Sequence, residues 1–568
     1  MHTPTTRAML FPATLVLAAL AGAAHADVIY VNADSNGGDG SEWQQAFPTL
    51  DAALAIASQG DEIWVAAGEY APNPSDGRNA TFTIPDGVRV FGGFRGEEEQ
   101  LEERSEDPFE NASILTGRVT DTYSVVTMSN TGPSTELNGF VIEGGRADNG
   151  VGGSFRERGG GIFGANASPT LRLLIVQDNA ASDTGGGLYI TADDTDPLEI
   201  VPVVIDQCEF INNSAEDGGG AAIVDSATIT DSRFRGNDAT GLGGGLYLRG
   251  DGSFVVEDCR IDNNTAIRTG PDASLFGFGG GIATFMLDNG DVSIVDCRIN
   301  DNTAGSRGGG VYFGNSGRQT IRQSRVFGNV ITMGNSFGGG ISIDIDDADG
   351  SSLIESTAII GNESNSGAGI GIDGDHPSVI ANTTIAGNMS MSIVGGIQLR
   401  STDAAIDNTI IYGNESLAPN GTRSASISLS FGATATVNNS IVEFWFGPGG
   451  PLPGFDVVDT DPIFVDADGA DDVFGTSDDN IRLMPGSPAI DAGNGTLAIA
   501  LSPVDVYGAP READDPDTPN ASLFSAVDIG AAEFQPEPPA DCPADTNGDG
   551  ELNPADFNAW VINFNAGC

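Results

Sequence analysis

The chain has 568 residues, with 80 acidic side chains against 24 Lys plus Arg, and a formal net charge of −56. All 24 are Arg and Lys is absent, so the surface repels phosphate backbones, which excludes nucleic acid as a partner and favours divalent cations. Beyond residue 26 no stretch approaches eighteen consecutive apolar residues, so no membrane span is expected.

Residues 1–26 have the layout of an export signal. Arg7 supplies the charge, residues 9–21 are apolar, and Ala24-His25-Ala26 is a small-x-small cleavage site. The mature chain is expected to be secreted or held at a cell surface, and to act as a monomer.

VIYVNA (28–33) predicts a strand, PTLDAALAIAS (48–58) a short amphipathic helix and DEIWVAAGEY (61–70) a second strand. A helix there would cover the open sheet edge at the start of a stack. Residues 27–158 are therefore assigned to an N-terminal cap and first turns.

From residue 159 to 442 the chain repeats. An aliphatic or Phe residue, two free positions and an Asn recur nine times (VQDN, FINN, FRGN, IDNN, INDN, VFGN, IIGN, IAGN, IYGN). Glycine-rich clusters begin at Gly159, Gly185, Gly218, Gly243, Gly279, Gly308, Gly338, Gly367 and Val394, in steps of 25 to 36 residues. One such repeat cannot bury its own apolar face, so each is expected to form one turn of a parallel β-solenoid. The bias of parallel crossovers makes it right-handed.

The strand after the glycines alternates, which places Leu188/Ile190, Leu246/Leu248, Val311/Phe313, Ile341/Ile343 and Ile397/Leu399 inside. Asn is expected at a sharp corner, in left-handed backbone, with its amide bonded to the next Asn of the stack. The glycines are expected at a second corner where backbones crowd. Cys208, Cys259 and Cys297 share a repeat slot filled elsewhere by Ser232, Ser324, Thr357, Thr383 or Thr409, which marks a tight inward position rather than a disulfide framework.

Two outward columns are candidate binding surfaces. Arg233, Arg260, Arg298 and Arg325 follow the small slot in four successive turns, stacked ~4.8 Å apart. Either Asp231, Asp258 and Asp296 compensate them in an ion ladder, or they form a strip that grips acidic sugars. Tyr189, Tyr247 and Tyr312 recur every second turn, ~9.6 Å apart. They serve as a platform for sugar rings or simply as good strand residues. His376, the one His of the mature chain, lies in GDHPS and is expected to be an ordinary surface residue with no nucleophile beside it.

Residues 443–534 are richer in Pro and Asp and predict an irregular C-terminal capping region. Asp466, Asp468, Asp471 and Asp472, with Asp478 and Asp479 beyond, form either a second metal site or a solvated acidic loop. Residues 535–541 are a Pro-rich linker, and 542–568 a separate module.

That module carries D-T-N-G-D-G-E-L-N-P-A-D. Asp545, Asn547 and Asp549 stand at loop positions 1, 3 and 5, with Gly550 for the turn, Glu551 offering its carbonyl, Asn553 acting through water and Asp556 closing. Six or seven hard oxygens at this spacing are what Ca²⁺ requires. The amphipathic ADFNAWVINF supplies an exiting helix. Cys542 and Cys568 bracket the module, and a disulfide between them, plausible in an exported protein, would contribute ~3.5 kcal/mol.

The NGDG core, the following helix and the Gly-Cys ending make the tail resemble a single-loop dockerin-like anchor, which implies attachment to a cohesin-like or other surface partner. Full dockerins carry two calcium loops and this tail carries one. GDEIWVAAGEY and the FxxN/GGG alternation make residues 27–445 resemble the pectin-lyase-like right-handed parallel β-helix proteins, and the alternation also resembles bacterial polymorphic outer-membrane adhesins. The expected molecule is thus an all-β, right-handed parallel β-helix solenoid with an N-terminal cap, an irregular C-terminal capping region and a small α-helical, calcium-binding dockerin-like tail. Its expected role is that of a surface adhesin or carbohydrate-binding protein, facing a polysaccharide or cell-surface component. The alternatives are a polysaccharide lyase or hydrolase, for which no catalytic residues stand out, and a purely structural surface protein.

Overall fold

The computed structural model describes residues 27–536, apart from 150–155, 193–199, 269–276, 287–289, 315–316, 334–335, 348, 418–425, 445–452, 497–501 and 521–525. The export signal and the tail, with its calcium loop, Cys542 and Cys568, lie outside the described residues, as does most of the insertions at 191–201 and 267–278.

Each regular coil contributes to three stacked sheets. The longest sheet takes two strands per coil, such as Phe254–Glu257 and Arg260–Asp262, set on either side of a bend. A two-residue strand, Thr265–Ala266, feeds the second sheet, and the strand after the glycines, Leu246–Gly250 in the preceding coil, feeds the third. Coils pair with coils in parallel and in register, as in Phe234↔Ile261, Ile261↔Ile299 and Ile299↔Val326. This is a parallel β-helix.

Alternation sets what the coil encloses. Ile205, Ile229, Val256, Ile294, Ile321, Ile354, Ile380 and Ile406 form one inward file, none more than 1% exposed. Phe210 and Phe234 stack with ring centroids 4.8 Å apart. Each such side chain contributes about 1.5–3 kcal/mol on burial. The expected inner pairs from Leu188/Ile190 to Ile397/Leu399 are all buried, and so are Cys208, Cys259 and Cys297, each a free thiol.

The nine repeat Asn residues, from Asn179 to Asn414, form a continuous buried ladder. From Asn179 to Asn388 each side-chain amide donates to the side-chain carbonyl of the next coil's Asn, eight bonds of 2.8 to 3.1 Å. The expected backbone conformation is corrected by one position. The left-handed residue is the one before each ladder Asn: Asp178, Asn212, Gly236, Asn263, Asp301, Gly328, Gly361, Gly387 and Gly413. The bend precedes the ladder, and the Asn points inward from it to satisfy buried backbone groups.

At the second corner the first glycine of the eight clusters from Gly159 to Gly367 has positive φ, as at Gly243 (62°) and Gly308 (60°). Most of the neighbouring positions are glycines without room for a side chain: a Cβ on Gly309 would sit 2.4 Å from the Gly339 carbonyl oxygen, although the Gly367 cluster fits Ala368 there. Near the start of the stack, the helix is shorter than predicted, Leu50–Leu54, and buries Leu50, Ala53 and Leu54 in the core.

Of residues 443–534, expected to form the C-terminal cap, Gly454–Val458 adds a parallel strand to Thr434–Val442 at the end of the stack, whereas the described residues from 461 onward take another course. The described residues of 461–534 fold back along the flank of the coils, over the outer face of the long sheet. Ile481, Val506 and Ala531 pack on Phe327, Ala358 and Ile360, and Leu483, Ile490 and Ile529 pack on Ile410 and Ile441. The reason lies in the coils themselves: outward positions that are Arg in earlier coils become Ala, Thr and Ile from Ala358 onward, and an apolar strip requires cover. Among the described residues no helix is long and apolar enough to cross a membrane.

Candidate functional site

The outer face of the long sheet positions the arginines. In each coil a left-handed residue (Asp231, Asp258, Asp296 or Gln323) turns the chain. The next residue enters the core (Ser232, Cys259, Cys297, Ser324) and the one after it points out. Arg233, Arg260, Arg298 and Arg325 thereby pair in register, with Glu209 before them and Ala358 after.

Their compensation differs from the expected ladder. Asp262, two residues beyond Arg260, receives bonds from Arg233 Nε and Nη2 at 2.9 and 3.0 Å and lies 3.1 Å from Arg260 Nε. Burial works to raise the Asp262 pKa, but the bonds from Arg233 and Asn263 and the charge of Arg260 hold it below the usual range. Asp231, Asp258 and Asp296 are occupied by the bend; burial and the neighbouring Asp258 raise Asp296.

Arg298 and Arg325 have no such partner among the described residues. The Arg298 guanidinium lies 4.7 Å from the Phe327 ring centre, and that of Arg325 lies 5.7 Å from Phe327 and 5.5 Å from Tyr507. Arg482, from the folded-back segment, covers the Tyr507 ring at 3.7 Å. Among the described residues the Arg325 side chain makes one hydrogen bond, from Nη2 to the Asp479 carbonyl oxygen at 3.4 Å. The Nε atoms of Arg298 and Arg325 and the Tyr507 hydroxyl are buried without a hydrogen-bond partner. Burial, then Arg325 and Arg260, lower the Arg298 pKa, against the opposing charges of Asp301 and Asp262.

The tyrosine column stacks as expected, in the register Tyr189↔Ala222↔Tyr247↔Ala283↔Tyr312. Its exposure is corrected. The three side chains are 8%, 6% and 5% exposed and pack with Phe163, Leu242 and Phe278. Leu242 and Phe278, each directly before a glycine cluster, pack against these rings, and at this burial the three tyrosines form no solvent-facing platform. Farther along this face Arg307 Nη1 meets Asp344 at 2.5 Å, and Arg400 Nε lies 3.5 Å from Asp373. Asp344 and Asp373 are one coil apart in register.

His376 is also corrected. It is 3% exposed, with Nδ1 3.0 Å from the Ile345 carbonyl oxygen and Nε2 3.3 and 3.2 Å from the hydroxyls of Ser352 and Ser378. Burial lowers its pKa. Two hydroxyls do stand beside it, but Ser352 and Ser378 are 4% and 2% exposed, so the group closes a hydrogen-bond network inside the coil.

In the acidic run, Asp471 and Asp478 accept backbone bonds from Val473 and Ala470, and Asp479 accepts from Gly475 and Thr476. These carboxylates close turns. Among the described residues no three His, Cys, Asp or Glu side chains gather as a metal site.

One polar centre had no signal in the sequence. Arg511, fully buried, donates to Ser356 Oγ, to the Asn382 carbonyl and to the Gly530 and Ala531 carbonyls, and Glu533 lies 3.7 Å away. Asp505, Asp528, Glu533 and Glu355 beside it are at most 2% exposed. Burial, followed by the neighbouring acids, pushes Asp528 up to about 7 and Glu533 up to about 10.

No curated protein matches the sequence. Among solved structures the chain is similar to pectate lyase Pel9A, at 14% identity over 90% of this chain and 98% of that one, with a TM-score of 0.37. It is also similar to XylC in complex with xylose (13%, 89% and 99%, 0.31) and to a rhamnogalacturonan lyase (13%, 77% and 85%, 0.22). These likenesses reach no further than the coiled architecture. Residues 160–347, the most regular coils, match the family model for the right handed beta helix region, and the fold is a right-handed parallel β-helix.

Proposed function

We propose that this protein is exported, held at a cell surface through its C-terminal module, and binds polysaccharide along the outer face of the long sheet. The observation that supports this is the register of Arg233, Arg260, Arg298 and Arg325, of which the last two form no ion pair among the described residues of a chain of net charge −56. Like charges one strand spacing apart are costly unless something else compensates them. A fold of stacked coils presents such a column in a line, which suits a linear polymer.

A second reading, a polysaccharide lyase or hydrolase, draws on Asp344 and Asp373, two carboxylates one coil apart, each beside an arginine. Incubating the mature protein with neutral and uronate polysaccharides, with and without Ca²⁺, separates the two. Retention without new reducing or unsaturated ends supports binding; new ends support the enzyme; neither leaves a structural role.

The anchor is tested separately. Asp545, Asn547, Asp549, Glu551, Asn553 and Asp556 supply oxygen ligands that suit Ca²⁺. Deleting residues 542–568 is expected to release the protein from cells. A truncated protein that stays cell-associated would remove the anchoring role.

A further inference from the structure

We infer that the seam between Arg298, Arg325 and the folded-back segment is a seat for the carboxylates of an acidic polysaccharide, with Arg482 and Tyr507 completing it. This rests on the polysaccharide-binding reading and names the class of polymer and the elements that select it.

The four column arginines are not equivalent. Arg233 and Arg260 share the carboxylate of Asp262, so that half is already compensated. Arg298 and Arg325 form no ion pair among the described residues, and the folded-back segment adds a third guanidinium, Arg482, 3.7 Å from the centre of the Tyr507 ring. Aromatic faces of Phe327 and Tyr507 hold these cations in place without neutralising them. Three buried polar atoms are left without partners, Nε of Arg298, Nε of Arg325 and the Tyr507 hydroxyl. Orphaned buried donors cost about 1–3 kcal/mol each; Arg298 and Arg325 remain half-buried rather than enclosed, and an arriving oxyanion meets the accessible part of each guanidinium and supplies the missing negative charge. Arg binds carboxylate through parallel N–H···O bonds, which fixes orientation as well as charge.

The ends of the strip set the ligand's size. Glu209 precedes Arg233 in the column and would repel an anion there. Beyond Arg325 the column passes to Ala358, beneath the folded-back segment. Three steps between four arginines span about 14 Å, room for a short run of sugars rather than a long chain. The segment that covers the later coils is therefore also the wall of the site.

The experiment compares a linear polyuronate, its carboxyl-reduced neutral counterpart and free glucuronate as ligands of the full chain at low ionic strength. Polyuronate is expected to bind at least tenfold more tightly than either. R298Q/R325Q is expected to lose at least tenfold and R482Q about threefold. Without polymer the double variant is expected to melt no lower than the wild type, because stacked like charges have been removed; a purely structural role would lower it. R298K/R325K, which keeps charge but not the planar fork, is expected to bind between the two. Equal binding of the reduced polymer overturns the carboxylate seat and leaves polysaccharide binding standing. Binding of neither polymer overturns both. Free glucuronate binding as well as the polymer reduces the site to one for a free carboxylate. Wild-type affinity in the double variant, or a binding loss matched by a fall in melting temperature in both double variants, overturns the assignment to these residues.

Discussion

Arg511 donates to the hydroxyl of Ser356 at 3.0 Å across 155 residues of sequence, with both side chains fully buried. The bond joins the folded-back segment to the bend of one coil. Asn382 and Asn408 continue that line of bends, the first accepting from Arg511 and the second exchanging bonds with Asn494. One cation stands there among several buried acids, so docking of the segment is tied to the protons those acids hold.

Docking is expected to weaken as pH rises. Asp528 and Glu533 have folded pKa values of about 7 and about 10, above the ordinary carboxylate values of about 3.9 and 4.3. The folded state therefore binds more protons than the unfolded one. Its advantage is complete below pH ~4 and is lost as pH rises through 7 for Asp528 and on toward 10 for Glu533. Thermal melts from pH 5 to 10 should show a steady fall in stability. D528N should flatten the part below pH 7, and an unchanged profile in that variant would assign the titration elsewhere.

Asn302→Ala is expected to cost about 2–4 kcal/mol. Asn302 accepts from the backbone and side chain of Asn264 and donates to the carbonyls of Ile261 and Asn329. Removing it strands all of these inside the stack. Denaturant unfolding measures the loss, and a change below about 0.5 kcal/mol would deny the ladder a stabilising role.

Two glycine substitutions should separate crowding from backbone strain. Gly309→Ala drives a Cβ against the Gly339 carbonyl oxygen at 2.4 Å, whereas Gly486, with φ of 84°, has nothing within 4 Å. Gly486→Ala should cost only about 1 kcal/mol, the price of a left-handed non-glycine residue. Gly309→Ala should cost several times more or prevent folding, as read by soluble yield and melting temperature.

The three core thiols should be inert in the native state. Burial pushes Cys208 up to about 12 and raises Cys297 well above the ordinary thiol range. Iodoacetamide at pH 8 should leave them unmodified until denaturant is added, as mass spectrometry of the mature chain would show. Rapid native labelling would mean that the coils open locally.

The coil was legible because its causes are local and repeated. Asn after an aliphatic-x-x run and the glycine clusters each answer one corner, and Leu188/Ile190-type alternation reports the inward face directly. What escaped depends on contacts between distant segments. Nothing near Tyr247 indicates that Leu242 and Phe278 fold over it, and GDHPS does not show that His376 turns into the coil. Arg511 has no periodic context, so its role appears only once residues 461–534 lie against the bends. The arginine column was legible in register but not in pairing, because Asp262 is also a repeat residue and only its geometry separates it from Asp258.

Stacked coils that touch only their neighbours yield to heat or force from whichever end is less bound. Here residues 461–534 link several coils at once, through Ser356, Asn382, Asn408 and the apolar strip down to Ile441. Those coils cannot peel away singly; they must give way together with the segment that binds them. If the module beyond residue 541 is the point of attachment, a load applied there enters the molecule through its most cooperative part and reaches the independently stacked coils last.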